Sequence, residues 1–270
     1  MTQRYLGLDL LGARYKGVDA IDRYKGTDPE WPYVASEPWT PLDLGASLEG
    51  LWDASDLTSI TEAGGQVYQI DDKSGNGRHA VSHGSPPYTG FAAQNGLNLI
   101  MQGNGTEGLR LPNSGWGAFS PGSAPLTLVC ILTGTGNETR MVSFDDLNSV
   151  GRWNLGSRYS SYVWTYAGGR IGYALPNALP VIAIMTWSSS HAIRRLNGAV
   201  GATAINAVGS TGSLNFLMAP TGGGARLYEA MVLSSALSTE DCERVEGYLA
   251  HKWGLAGSLP SAHPFKSAAP

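Results

Sequence analysis

The feature that most constrains this chain is a succession of short β-type runs, each closed by turn residues. From Leu48 onward, 67–70, 97–101, Leu126–Leu132, 152–155, Tyr162–Tyr166, Val181–Trp187, Ala192–Leu196, 214–218 and 227–233 follow one another. Each run is rich in β-branched or aromatic residues and bounded by Gly, Asn, Ser or Pro, the pattern of strands joined by tight connections. Asn76-Gly77, Asn95-Gly96, Asn104-Gly105 and Asn197-Gly198 supply residues that tolerate positive φ. Glycine accounts for 36 of the 270 residues, about twice its usual share. Many turns and few charges exclude a helical bundle and predict a β-sandwich; such sandwiches commonly reach about 200–250 residues as one domain.

One helix interrupts the pattern. Ser238 is placed to cap it, Glu240 and Asp241 sit in the first turn where the helix dipole favours negative charge, and Gly254 follows its end. Cys242, Val245, Leu249 and Trp253 recur at helical spacing and predict one buried face. The residues from Leu259 to Phe265 read as an extended strap across the sandwich.

Residues 1–46 differ in kind. Three related tetrads, Arg4-Tyr5-Leu6-Gly7, Arg14-Tyr15-Lys16-Gly17 and Arg23-Tyr24-Lys25-Gly26, precede a Pro- and Trp-rich stretch that includes Trp31 and Trp39. No strand or helix period persists there, so the segment has no core of its own. Its aromatics are costly to leave in water and are common interface anchors. It is expected to be an extended arm that orders against a partner, with Arg4, Tyr5, Arg14, Tyr15, Arg23, Tyr24, Trp31 and Trp39 as anchors. Residues 47–270 form the expected sandwich domain.

A net charge of −4 leaves no basic footprint for nucleic acid. No apolar run approaches the roughly 20 residues needed to cross a bilayer as a helix. The N-terminal residues lack the pattern of a secretory signal, which predicts synthesis in a reducing cytoplasm and free thiols at Cys130 and Cys242.

Several motifs resemble a known family. Gly50-Leu51-Trp52-Asp53-Ala54-Ser55-Asp56 and the segment from Asp71 to Ala80 are similar to the opening of laminin-G-like domains in bacteriophage and prophage structural proteins. The strand from Ala124 to Leu132, the turn Arg194-Arg195-Leu196-Asn197-Gly198 and the stretch from Arg226 to Leu237 resemble the concanavalin A-like pattern. Glu246 to Leu255, with Leu259-Pro260 and His263-Pro264-Phe265, resembles the C-terminal strap of the phage-type members. The likeness covers about 48–266. It implies a concanavalin A-like jelly roll of two antiparallel sheets with one short C-terminal helix, preceded here by the extended arm. It further implies a multi-copy structural protein of a virion (tail, fibre, baseplate or capsid surface) and adsorption to a host surface polysaccharide. The arm would then contact other virion proteins.

The family sometimes uses Ca²⁺, but two positions here depart from its pattern. Gln102 stands where an Asp is common and Tyr228 where an acidic residue is common. Since Ca²⁺ prefers about six to eight oxygens with several carboxylates, no cofactor is expected. The polar run from Asp71 to Gly77 and the pair Asp145-Asp146 read as turns and solvated loops. Gly103 to Gly108 spells G-x-G-x-x-G, but an extended Leu109-Arg110-Leu111-Pro112 follows it, where a nucleotide site needs a helix N-terminus. No strand carries the carboxylates of a glycosidase, and Glu240, Asp241, Glu243 and Glu246 read as the solvated face of the helix. The chain is therefore expected to be non-enzymatic, the alternative being a free carbohydrate-binding or carbohydrate-cleaving protein of the same fold. For a glycan contact, Trp153 and Tyr159 with Arg152 and Arg158 are the candidates, because sugars stack on rings with polar groups at the rim. Tyr162, Trp164 and Tyr166 share strand parity and read as a core-facing row.

Overall fold

A computed structural model describes residues 37–92, 95–103, 106–113, 116, 125–133, 138–144, 153–158, 162–166, 170–174, 180–188, 192–203, 215–219 and 224–270. Eighteen strands lie among them. In chain order the first nine are β1 (Leu48–Asp53), β2 (Ile60–Ala63), β3 (Gln66–Ile70), β4 (Ala80–Ser82), β5 (Tyr88–Phe91), β6 (Asn98–Met101), β7 (Leu109–Leu111), β8 (Leu126–Leu132) and β9 (Glu138–Phe144). The others are β10 (Trp153–Arg158), β11 (Tyr162–Tyr166), β12 (Arg170–Ala174), β13 (Val181–Trp187), β14 (Ala192–Leu196), β15 (Ala199–Thr203), β16 (Asn215–Met218), β17 (Arg226–Leu227) and β18 (Glu229–Leu233). One α-helix, α1 (Thr239–Lys252), follows them.

The strands form two antiparallel sheets. The smaller runs β1-β18-β8-β13-β14-β15, and the larger runs β12-β11-β10-β9-β16-β7-β4-β3-β5-β6-β17, with β2 added beside β3. This is the sandwich that the strand pattern predicts, in the jelly-roll form that the family resemblance implies. Leu126, Leu128, Cys130 and Leu132 of β8 point between the sheets, together with Ala183 and Met185 of β13 and Ile70, Ile100, Leu109 and Leu111 of the larger sheet. The intervening Val129 and Ile131 face the other way, where they pack with Ile182, Ile184 and the apolar face of α1. Both faces of the central strands are covered, which is why β8 and β13 read as continuous apolar runs rather than as alternations.

The same arrangement separates the two thiols. Cys130 lies in the layer between the sheets and Cys242 in the layer beneath α1, and both are free and buried. Burial pushes Cys242 up to about 11 and raises Cys130 as well, so both act as small apolar side chains.

The helix begins where expected. Ser238 Oγ accepts from the Asp241 amide at 3.1 Å, a cap that typically contributes about 1 kcal/mol. Cys242, Val245, Leu249 and Trp253 are buried along one face. Glu246 departs from the expectation of a solvated acidic face, for it is fully buried. Its carboxylate forms a two-pronged pair with Arg195 of β14, at 2.9 Å to Nε and 2.8 Å to a terminal nitrogen, and Oε2 lies 3.1 Å from His263 Nε2. The strap is thereby tied to the helix and the sheet at one point. It then crosses α1 at Gly247, where an added Cβ would stand 2.4 Å from Phe265 Cβ. Lys266 finishes the strap by donating to the carbonyls of Ala256, Gly257 and Leu259 at 2.7–2.8 Å.

The run from Asp71 to Gly77 seals the free edge of β1. Asp72 Oδ1 accepts from the amides of Leu51 and Ser74, and Oδ2 from Ser74 Oγ and the Arg78 amide, all at 2.9–3.0 Å. Lys73 N donates to Leu51 O at 2.7 Å, and Asn76 Nδ2 donates to Leu48 O at 2.9 Å. An unpaired strand edge invites pairing with another chain, and this loop occupies it. The turn-holding role read from the sequence is therefore met in full by Asp72.

Trp39, assigned from sequence to the arm, has an intramolecular partner. Its ring meets Tyr248 of α1 edge-on with centroids 6.1 Å apart. The compact unit that contains the sandwich begins at Trp39. Arg4, Tyr5, Arg14, Tyr15, Arg23, Tyr24 and Trp31 lie outside the described residues.

Candidate functional site

At the rim of the larger sheet, β5, β6 and β17 present one cross-strand row. Met101 pairs in register with Tyr88 on one side and with Arg226 on the other, and neighbours opposite one another in a sheet share a face. The Met101 side chain lies over Gly90, where an added Cβ would come within 2.6 Å of its Cε. Tyr88, Met101 and Arg226, with Gln102, Gly103 and Gly224, line a cavity of about 320 Å³. Tyr88 is 40% exposed, so its ring is available as a wall of this cavity.

Gln102 is the unusual member. It is 3% exposed, and its backbone is locked to the next chain segment by N–H donation to Ala225 O at 2.8 Å and acceptance from Gly224 N at 3.1 Å. Its Nε2 donates to Ala219 O at 3.1 Å and to Glu107 O. Its Oε1 is buried with no hydrogen-bond partner among the described residues. A buried acceptor left unpaired costs about 1–3 kcal/mol. The site thus combines an exposed ring, a thioether floor and the exposed guanidinium of Arg226, while Gln102 Oε1 is sealed from solvent. Burial raises the phenol of Tyr228, while Arg226 beside it pulls the other way.

The set does not fit calcium. Gln102 is a neutral amide, Arg226 brings a positive charge, and Tyr228 is a buried neutral phenol packed edge-on against Trp253 at 5.0 Å. Among the described residues, no three or more His, Cys, Asp or Glu side chains gather as a metal set would require.

A second polar cluster has a perturbed carboxyl, a common mark of a catalytic group. Asp53 and Glu229 face each other across β1 and β18, and Lys252 reaches both, at 2.8 Å and 2.6 Å. Trp253 Nε1 donates to the same Glu229 oxygen at 3.3 Å. Burial pushes Glu229 up to about 7 against the pull of Lys252. Burial also opposes the charge on Asp53, but Lys252 prevails and holds that carboxyl below its usual range. Nearer the surface, the hydrogen bond from Lys73 holds Asp56 down to about 2. Both carboxylates facing Lys252 are nearly sealed from solvent, so the cluster fastens the end of α1 to the sheet.

Another cavity of about 320 Å³ is bordered by His79, Val81, Arg110, Leu111, Pro112 and Asn113. None of its lining side chains has a buried unpaired atom, so nothing in it asks for a ligand.

Two of the sequence-derived glycan candidates lie on a different strand. Trp153 and Arg158 are at the two ends of β10, with Trp153 opposite Phe144 and Arg158 opposite Glu138 in register. Arg152 and Tyr159 lie outside the described residues, as does Asp145-Asp146. Sequence reasoning did not select Tyr88 or Arg226, and it noted Gln102 only as a departure from a resembled pattern. Their association depends on the register of three strands from distant parts of the chain.

No protein-family model and no curated protein matches the sequence. Solved structures do. The binding domain of botulinum neurotoxin serotype G superposes with a TM-score of 0.54 at 10% identity, over 74% of this chain and 50% of that one. Domain 4 of an extracellular GH43 arabinanase from Geobacillus stearothermophilus, solved in complex with arabinotriose, superposes at 0.51 with 13% identity, over 72% and 95%. Trypanosoma rangeli sialidase in complex with sialic acid superposes at 0.50 with 13% identity, over 77% and 33%. These likenesses show the fold. The chain spans about half the length of the neurotoxin binding domain it matches.

Proposed function

We propose that this chain is a non-enzymatic structural protein of a phage virion that displays a carbohydrate-binding sandwich toward the host surface. The cavity at Tyr88, Gln102 and Arg226 carries the binding part of this reading. It offers a ring for stacking and an exposed guanidinium donor, a combination suited to the faces and hydroxyls of a sugar. Solved neighbours that include a domain bound to arabinotriose and a sialidase bound to sialic acid support the same direction. The virion part rests on the resemblance of the 50–56, 71–80 and 246–265 motifs to phage structural proteins, with residues 1–46 as the attachment to neighbouring virion proteins.

The binding part is tested on a glycan array that includes bacterial surface polysaccharides. Retention by the full chain and loss in Tyr88→Ala supports it, whereas retention unchanged in Tyr88→Ala refutes the site. The virion part is tested by deleting residues 1–46 and measuring incorporation into particles, which is expected to fall sharply; unchanged incorporation refutes the anchoring role. The likeness to sialidase also favours a second reading, a carbohydrate-cleaving protein, which predicts release of reducing ends from a polysaccharide.

A further inference from the structure

Three guanidinium groups of the sandwich are matched by carboxylates. Arg78 meets Glu49 at 2.7 Å, Arg195 meets Glu246 at 2.8 Å and Arg244 meets Glu240 at 2.5 Å. Arg226 differs: among the described residues no carboxylate stands within salt-bridge distance of it. The Tyr228 phenol beside it is neutral and offsets none of its charge. Arg110 also lacks a carboxylate and borders the other cavity, but that cavity is bordered too by His79, which holds Asp71 at 3.0 Å. An acid is therefore present at that cavity and absent from the lining of the cavity at Arg226.

The unmatched charge ends a cross-strand row. Arg226 and Tyr88 flank Met101 in register, so about 10 Å, two strand spacings, separates their backbones. The rest of the lining, Met101, Gln102, Gly103 and Gly224, carries no charge. Glu107, near Gly103, is buried and engaged with a partner, and it does not line the cavity. A matching ligand therefore presents a flat apolar face to Tyr88 and one negative group to Arg226. A guanidinium holds a planar carboxylate through two parallel N–H donors. In a hexuronic acid the carboxylate projects from the edge of the pyranose ring and leaves the ring face free to stack.

We infer that this cavity recognises a hexuronic acid residue of an acidic polysaccharide. The carboxylate accepts from the Arg226 guanidinium, and the ring rests on Tyr88 above Met101. The inference depends on the carbohydrate-binding reading of the same site. A cavity of about 320 Å³ lies at the small end of ligand sites, which run from about 300 to 1,000 Å³, so it suits one such residue of a longer chain. The protein as a whole carries a net charge of −4. Its bulk charge does not draw in a polyanion, and the attraction is local to Arg226.

Saturation-transfer NMR on the full chain tests it. The methyl glycosides of glucuronic, galacturonic and mannuronic acid are compared with those of glucose, galactose and mannose. At low salt at least one uronic acid is expected to bind about fivefold or more tighter than its neutral parent. That preference should shrink as NaCl rises from about 20 to about 500 mM, because salt screens an exposed ion pair. Arg226→Met should abolish the preference and leave binding of the neutral parent in place, whereas Tyr88→Ala should weaken both; both positions are exposed. Arg110→Ala should change neither. Equal binding of acid and parent, still lost in Tyr88→Ala, overturns the uronic acid inference and leaves the carbohydrate site standing, as does a preference that survives Arg226→Met. Binding that ignores Tyr88→Ala, or no binding by any of the six, overturns both.

Discussion

Two buried side chains, Asp72 and Gln102, close loops beside edge strands of the sandwich, yet they are treated differently. Asp72 accepts four hydrogen bonds through its two oxygens and leaves neither bare. Gln102 spends its amide nitrogen in the same way but keeps an unpaired oxygen beside a cavity. Glu246, under the strap, belongs with Asp72: fully buried, it is matched by Arg195 on both oxygens and by His263 on one. The difference separates groups whose polar atoms are all matched from one that closes its loop through its nitrogen alone and keeps a bare oxygen sealed in the interior. Glu229 resembles Gln102, for its Oε1 is also unpaired while its other oxygen holds Lys252; each bare acceptor costs stability.

The sharpest way to break this contrast is at Glu246. Glu246→Ala leaves the buried Arg195 with only the longer pair to Glu243 at 3.6 Å, a change expected to cost about 3 kcal/mol and to be read as a lower urea midpoint. A loss below about 1 kcal/mol would mean that the strap is not fastened there.

The second test concerns Glu229. Its folded carboxyl titrates at about 7 and its ordinary value is 4.5, so between those values the folded chain holds a proton that the unfolded chain has lost. Its contribution is therefore fully present below about pH 4.5 and fades as pH rises through 7. Stability should fall from pH 5 to pH 8 by up to about 3 kcal/mol from this group. Glu229→Gln should flatten that slope in chemical denaturation; an unchanged slope would show that Glu229 does not titrate there. Asp56, held near 2, acts in a separate window. Its contribution is present above about 3.8 and is lost only as pH falls toward 2.

The smallest expected effect is at Gln102. Gln102→Met removes the bare acceptor but leaves the buried carbonyls of Ala219 and Glu107 without their amide donor, so it should destabilise by about 1–2 kcal/mol in urea denaturation. Unchanged stability would show that those two bonds do not hold the loop.

Much of the fold is legible in the sequence because its signals are local. The limits of β8 and β13, the Ser238 cap and the Asn197-Gly198 turn (φ 47° and 81°) stand where the residues put them. Short strands such as β2, β4, β5 and β7 are not legible, since three or four residues of mixed polarity acquire strand character only from their partners. The stretch read as one strand at 227–233 is interrupted at Tyr228, where β17 joins the larger sheet and β18 the smaller. Glu246 misleads for a related reason, because its neutralising arginine comes from a strand 51 residues earlier. The candidate site was hidden by the same non-local pairing. Tyr88 and Arg226 are separated by most of the domain and meet through the register of Met101.

The most direct measurement is a crystal structure of the full chain with a bound bacterial surface oligosaccharide. The account predicts a sugar residue stacked against Tyr88 with an acceptor about 3 Å from the Arg226 guanidinium. A sugar bound instead along residues 152–159 would contradict it.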